Sequence, residues 1–96
     1  MMDSIIDMIK RERALQDAKW GDDQRQPMFR WFVILMEEVG EASKAYLDHH
    51  WRGDPKIAVT EELVQCAAVV VKMLEQWTTI GDCEESHFDK RGLHND

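Results

Sequence analysis

The sequence contains little cysteine, little proline and glycine, and no long apolar run. Sixteen residues lie between Cys66 and Cys83, the two cysteines of the chain. This spacing indicates neither a disulfide framework nor a zinc site, so we expect reduced thiols. Two prolines and five glycines are too few for a low-complexity chain. No apolar run exceeds the length of residues 66–71, which is far shorter than the ~20 residues of a membrane helix. The amino terminus has no signal-peptide pattern, and we expect a cytosolic protein.

Positive charge is also scarce. Nineteen acidic and twelve basic side chains give a net charge of −7. This balance opposes binding to nucleic acids and to anionic membranes, because both depend on cationic side chains. The chain also lacks a Gly-rich Lys-Ser/Thr loop, a Gly-x-Ser-x-Gly elbow and a Gly-x-Gly-x-x-Gly turn. We therefore predict neither a polynucleotide nor a membrane as partner.

Apolar residues recur at helical spacing in three segments of a chain that is long enough for one domain, residues 1–96. The first helix is predicted over residues 3–19, with Asp3 or Ser4 as its cap and Gly21 as its stop. The second is predicted over 28–48, before a turn at 49–55, and the third over 58–77, ended by Gly81. Residues 81–96 are polar and should form a short fourth helix or a tail. The expected fold is an all-α helical bundle.

The third predicted helix is apolar on all sides. Twelve of the seventeen residues from 58 to 74 are apolar, which exceeds the single stripe that a surface helix needs. We expect both of its faces to be covered. A chain of this length also buries only about 60 to 65% of its surface on folding. Both observations predict an oligomer.

Carboxylates interrupt the apolar stripes of the second and third helices. At 100° per residue, Glu38 falls within about 40° of the line through Trp31 and Ala42, and Glu41 lies about 80° to one side. On the third helix Glu62 is surrounded by apolar positions, and Gln65 follows one turn later. If the two helices pack antiparallel, Glu38, Glu41, Glu62 and Gln65 converge as two i, i+3 pairs.

Such a cluster requires a cation. Two carboxylates about 5 Å apart repel each other by about 3 kcal/mol at an effective dielectric constant of about 20. A set made only of oxygen ligands suits Mg²⁺, with Mn²⁺ as a substitute. The alternative interpretation is a solvated acidic face in which Lys44 pairs with Glu41.

Four further side chains are candidates for substrate binding. Lys44 and Lys72 lie about one turn beyond the acidic positions and can meet a phosphate, or can simply pair with acids. Trp20 and Trp51, predicted on loops, can stack a nucleobase or can serve in packing.

The run EEVGE (residues 37–41), followed by EELVQ (residues 61–65), resembles the paired Glu-Glu-x-x-Glu and Glu-x-x-Asp motifs of MazG-like nucleoside triphosphate pyrophosphohydrolases. RERALQDAKWG (residues 11–21) is similar to the opening of short bacterial and phage members. The resemblance implies an all-α protomer that forms a dimer or a dimer of dimers. It also implies that Glu38, Glu41 and Glu62 bind Mg²⁺, while water cleaves a (deoxy)nucleoside triphosphate into monophosphate and pyrophosphate.

Within this resemblance, Glu37 is the expected proton acceptor, and HFDKRG (residues 87–92) places Lys90 and Arg91 among the expected phosphate contacts. Gln65 stands where the family motif has aspartate. Its amide oxygen can support the metal site but adds no charge, which disfavours a second metal ion. The alternative hypothesis is therefore a non-enzymatic helical interaction module with the same fold.

Overall fold

The structure is a computed structural model that describes residues 1–21 and 23–83. These residues form three helices, α1 (Met2–Trp20), α2 (Met28–Arg52) and α3 (Lys56–Thr79). The prediction of an all-helical chain is confirmed, since residues 1–21 and 23–83 contain no strand. None of the three helices is both long and apolar enough to cross a membrane. Nearly all of the predicted C-terminal helix or tail, residues 84–96, lies outside the described residues.

The first helix begins earlier than its expected caps. It starts at Met2, and the Ser4 hydroxyl donates a hydrogen bond to the Met1 carbonyl at 3.0 Å instead of capping the helix. The predicted stop at Gly21 is confirmed, because Gly21 has a φ of 89° and its N–H bonds to the Asp17 carbonyl at 3.0 Å. A residue with a side chain would be strained in that conformation.

The predicted turn at residues 49–55 was too long. The second helix continues to Arg52, since residues 49–52 contain no glycine or proline, and it ends at Gly53, which adopts the left-handed conformation with a φ of 76°. His49 Nδ1 lies 2.7 Å from the Asp54 carbonyl oxygen and helps to close the shorter turn. Trp51 therefore lies near the end of α2, and Trp20 is the last residue of α1, so the prediction that both lie on loops was wrong.

The α2–α3 hairpin holds the core. Trp31, near the start of α2, packs against Val69 and Met73 in the second half of α3, so the two helices run antiparallel. The first helix lies along α3 in the parallel sense: Met8 and Ile57 line one cleft near the two helix starts. Further along, Arg13 Nη2 lies 3.5 Å from Glu75 Oε1 and joins α1 to α3.

Buried Gln76 connects the end of α3 to the start of α2. Its side-chain oxygen accepts a hydrogen bond from Trp31 Nε1 at 2.9 Å. Its amide nitrogen donates to the carbonyl oxygens of Gln26 at 2.8 Å and Gly81 at 3.2 Å. One side chain therefore fixes the segment before α2 and the turn after α3.

One side of the hairpin is apolar and uncovered. Around the axis of α2, the exposed apolar residues lie on average about 120° from Trp31, which faces the core. Around the axis of α3, the exposed apolar residues have a similar angle to the direction that faces the core. Seen from one end of the hairpin, residue numbers increase clockwise around one helix and anticlockwise around its antiparallel neighbour. Equal angles from the core therefore place the exposed apolar residues of both helices on the same side of the hairpin. This apolar side, with residues 38 to 64% exposed, comprises Phe29, Phe32, Val33, Met36, Val39, Tyr46, Leu47, Leu63, Val70, Leu74 and Trp77.

We expected both faces of α3 to be covered. Within one protomer, this is true of only part of the α3 surface. The second helix covers one face and α1 covers another. The third face belongs to the apolar side and is open.

Candidate metal centre

Two carboxylates lie between α2 and α3 without partners. Oε1 of Glu38 and Oε1 of Glu62 are each buried, and within the described residues neither has a hydrogen-bond partner. Both side chains are half-buried, on helix faces that are otherwise apolar. A buried oxygen without a partner is costly, so this arrangement favours a proton or a bound cation.

The electrostatics of Glu38 show how acidic its surroundings are. Burial raises the pKa of Glu38, and the charges of Glu62, Glu41, Glu12 and Glu37 raise it further, in that order. In the absence of a cation, the negative charge at this position is therefore opposed by both desolvation and neighbouring acids. These oxygen groups fit a hard divalent cation such as Mg²⁺.

The remaining predicted ligands lie at the edges of this pair. Glu37 and Glu41 are exposed on α2. Gln65 is half-buried and lines a cleft of about 480 Å³ between α1 and α3. Across residues 1–21 and 23–83, no group of three or more His, Cys, Asp or Glu side chains is arranged to hold a metal ion. Glu38 and Glu62 are therefore the best supported members of the candidate centre.

Two residues near this pair were not assigned to the site from the sequence. Glu12 of α1 lines the same cleft as Gln65 and contributes to the field at Glu38. Glu12 shares one helix face with Met8 and Leu15, but this spacing alone does not show which helix that face packs against. Cys66 is the other: burial raises the pKa of its thiol, and the charges of Glu38 and Glu62 add to this.

The predicted phosphate-binding lysines occupy different places. Lys44 Nζ lies 2.9 Å from Asp48 Oδ2, so the recorded ion pair differs from the Lys44–Glu41 pairing of the alternative interpretation. Lys72 is half-buried and lines a second cleft of about 650 Å³, together with Arg25 and Glu75. Lys90 and Arg91 lie outside the described residues.

The two candidate stacking tryptophans also differ in their surroundings. Trp20 packs near Trp31, with ring centroids 6.2 Å apart, and lines a third cleft of about 320 Å³. Trp51 is 75% exposed, and its ring meets His50 edge-on at 4.6 Å between centroids. Trp20 therefore serves in packing while part of it borders a cleft, whereas most of Trp51 is open to solvent.

Comparison with protein-family models, with curated proteins and with solved structures finds no match to this chain. The fold and the candidate site define an all-α protein with carboxylates buried between two antiparallel helices.

Proposed function

We propose that the protein is a Mg²⁺-dependent nucleotide pyrophosphohydrolase, similar to MazG-like enzymes, which converts a (deoxy)nucleoside triphosphate into the monophosphate and pyrophosphate. The observation that supports this proposal is the pair of buried, unpartnered carboxylate oxygens of Glu38 and Glu62. These two residues belong to the paired acidic motifs at residues 37–41 and 61–65, whose spacing suggested the resemblance.

Glu38, Glu41 and Glu62 hold the cation in this proposal, and the Gln65 amide oxygen supports it. Mn²⁺ is expected to substitute for Mg²⁺. When bound, the cation neutralises the polyphosphate and lowers the pKa of the attacking water. Glu37 accepts the proton of that water, because it is exposed beside the buried pair and remains available to solvent.

The basic and aromatic candidates extend this site toward the substrate. Lys72 follows Gln65 by seven residues, about 10 Å along α3, so a polyphosphate at the carboxylates can continue toward its ammonium group. Trp20 borders a cleft that also contains Gln24 and Gln26 and offers one edge of a nucleobase site. Lys44, Trp51, Lys90 and Arg91 remain proposed substrate contacts.

We also propose that the protein acts as a homodimer, or as a dimer of such dimers, with a second copy covering the apolar side. The side comprises eleven large apolar residues that are each 38 to 64% exposed, whereas monomeric proteins rarely expose contiguous apolar patches of more than a few hundred Å². A symmetric contact through this surface would bury apolar side chains of both hairpins, as obligate homodimer interfaces do. The two hairpins then form a four-helix bundle.

Activity is tested by incubating the protein with a panel of natural and damaged triphosphates, with and without Mg²⁺ or Mn²⁺. Monophosphate and pyrophosphate should appear in equal amounts, and only when the cation is present. Release of orthophosphate with a diphosphate would contradict the proposal.

Two variants separate metal binding from proton transfer. Glu38→Gln should lose both cation binding and activity, whereas Glu37→Gln should retain cation binding and lose turnover. An active Glu38→Gln enzyme would place the site elsewhere. If the wild type is inert toward every triphosphate, the interaction-module hypothesis becomes the better one, since the apolar side offers such a module its docking surface.

A further inference from the structure

The segment before α2 forms one wall of the cleft of about 320 Å³ that Trp20 borders. Residues 23–26 supply this wall, and Trp31 and Ile34 of α2 supply another. Trp20 is 38% exposed, so part of its side chain is open to a flat ligand. The cleft therefore combines aromatic surface with polar side chains, as sites for planar heterocycles do.

The backbone of Gln26 is held firmly in this wall. Gln76, which is 5% exposed, accepts a hydrogen bond from the Gln26 N–H at 3.4 Å and donates one to the Gln26 carbonyl oxygen at 2.8 Å. The same side chain accepts the hydrogen bond of Trp31 Nε1. Gln26 and Trp31 are thereby fixed relative to each other, and the indole of Trp31 has no polar group left for a ligand.

The side-chain amide of Gln26 is available to a ligand, in contrast to that of Gln24. Among the described residues it has no hydrogen-bond partner, and its atoms are not buried. On the same wall, the Gln24 amide nitrogen donates to Asp17 Oδ1 at 2.9 Å and to the Gly21 carbonyl oxygen at 2.8 Å, and the Gln24 amide oxygen is buried. Gln26 therefore offers a donor and an acceptor to the cleft, whereas Gln24 holds the segment before α2 together.

The cleft lies next to the candidate metal centre along α2. Glu38 follows Ile34 by four residues, which is about 6 Å along the helix and about 40° around it. A nucleotide whose base lies in the cleft, against Trp20, can therefore extend its phosphates toward Glu38.

We propose that Gln26 reads the nucleobase of the substrate, with its side-chain amide bound to the edge of a base that lies against Trp20. This inference rests on the proposed function and adds that substrate selection depends on the base. The pairing edge of a nucleobase presents a donor next to an acceptor, and an amide matches such an edge with two hydrogen bonds. A phosphate ester without a base cannot make these bonds.

Calorimetric titration with the four natural deoxynucleoside monophosphates, without metal, tests this assignment. The base-free probe is 2-deoxyribose 5-phosphate. The wild type should bind at least one monophosphate about tenfold more tightly than the base-free probe, and Gln26→Leu should lower this ratio at least about fivefold. The thermal midpoint of Gln26→Leu should equal that of the wild type, because the lost amide has no partner within the described protein.

Gln24→Leu is the matched control, because it makes the same replacement on the same wall of the cleft. It removes the hydrogen bonds to Asp17 and Gly21, so its thermal midpoint should fall, while the ratio of affinities should change less than about twofold. An equal loss of the ratio in both variants would overturn the proposal, because the effect would then follow from the loop and not from the Gln26 amide.

The same titrations distinguish failure of this inference from failure of the proposed function, because they require no turnover. If Gln26→Leu keeps the wild-type ratio, or if the wild type binds no monophosphate more tightly than the base-free probe, the assignment of Gln26 is wrong. If the ratio behaves as expected while no triphosphate is hydrolysed with Mg²⁺, the proposed activity is wrong and the base site stands.

Discussion

Glu38 occupies a position where a charged side chain is unfavourable. An apolar side chain there would continue the stripe through Trp31 and Ala42, which are both buried. Instead, the chain places a carboxylate with one buried, unpartnered oxygen beside Glu62. A buried charge without a partner destabilises the fold. Proteins retain residues of this kind at functional sites.

The first prediction concerns the pH dependence of stability without metal. The pKa of Glu38 is raised above its ordinary value of 4.5, so the folded state holds this proton more tightly than the unfolded chain. Its stabilising contribution is complete below 4.5 and is lost as the pH rises through the folded pKa. The free energy of unfolding should therefore fall as the pH rises above 4.5 in the wild type, and fall less in Glu38→Gln.

Denaturant unfolding at a series of pH values measures this difference. The lowered pKa of Asp17, caused first by its hydrogen bond from Gln24 and then by Arg13, has the opposite sign. Its contribution is lost only as the pH falls below the ordinary value of 3.8, outside the window used. Parallel curves for the two proteins would contradict the prediction.

The second prediction concerns Gln65. Gln65→Asp adds a carboxylate to the cleft and should tighten Mg²⁺ or Mn²⁺ binding in the absence of nucleotide. It should also raise activity at low Mg²⁺ if a weakly held second ion limits the rate. Gln65→Asn is the matched control, since it shortens the side chain by the same amount without adding charge. Loss of activity in a folded, metal-binding Gln65→Asp protein would instead make the amide a requirement of the site.

The helices themselves were largely predictable, and their ends were less so. Apolar spacing located all three, and Gly21 and Gly81 marked two of the ends. The prediction ended α2 at Asp48, yet His49 and His50 are polar residues that do not break a helix, and α2 continues to Arg52. The structural stop is Gly53, whose left-handed backbone conformation ends the helix.

The sequence predicted only the part of the candidate site that lies between α2 and α3, because only the faces of these two helices were compared. A rotation of 100° per residue was sufficient to place Glu38 toward Glu62 across the hairpin. Glu12 was missed because its relation to Glu38 depends on where α1 packs, and periodicity within one helix carries no information on that contact. Gln76 was missed for a similar reason, since its partners Gln26 and Trp31 are 50 and 45 residues away in sequence.

The third prediction tests how Gln76 joins these elements. Gln76→Leu leaves the buried Trp31 Nε1–H and the Gln26 carbonyl without this partner. We expect a loss of about 2 to 4 kcal/mol in the free energy of unfolding, since each unsatisfied buried group costs about 1 to 3 kcal/mol. Thr78→Ala, at an exposed position two residues later, should cost less than about 1 kcal/mol. Equal losses in urea denaturation would show that Gln76 has no special role.

At the scale of the whole molecule, the charged and apolar surfaces lie on different sides of the hairpin. Glu37 and Glu41 lie about 100° from the core direction of α2, and the apolar side lies about 120° in the other direction. The first helix packs on α3 away from the apolar side, and Glu12 with it. A dimer formed through the apolar side therefore leaves the proposed centre of each protomer uncovered by the second copy.

The last prediction tests this separation of assembly from metal binding. Light scattering at micromolar concentration should give at least twice the 11.3 kDa mass of one chain. Met36, 64% exposed in the middle of the apolar side, is the position to alter. Met36→Glu places a charge in the proposed contact and should yield monomers, because a buried unpaired charge opposes association. Lys44→Gln changes the net charge by the same amount at an exposed position of α2 that does not belong to the apolar side, and it should leave the dimer intact. The Met36→Glu monomer should still bind Mn²⁺ with an affinity close to that of the wild type. A wild-type monomer at this concentration would contradict the proposed assembly, and loss of Mn²⁺ binding in a folded Met36→Glu monomer would show that the second copy completes the centre.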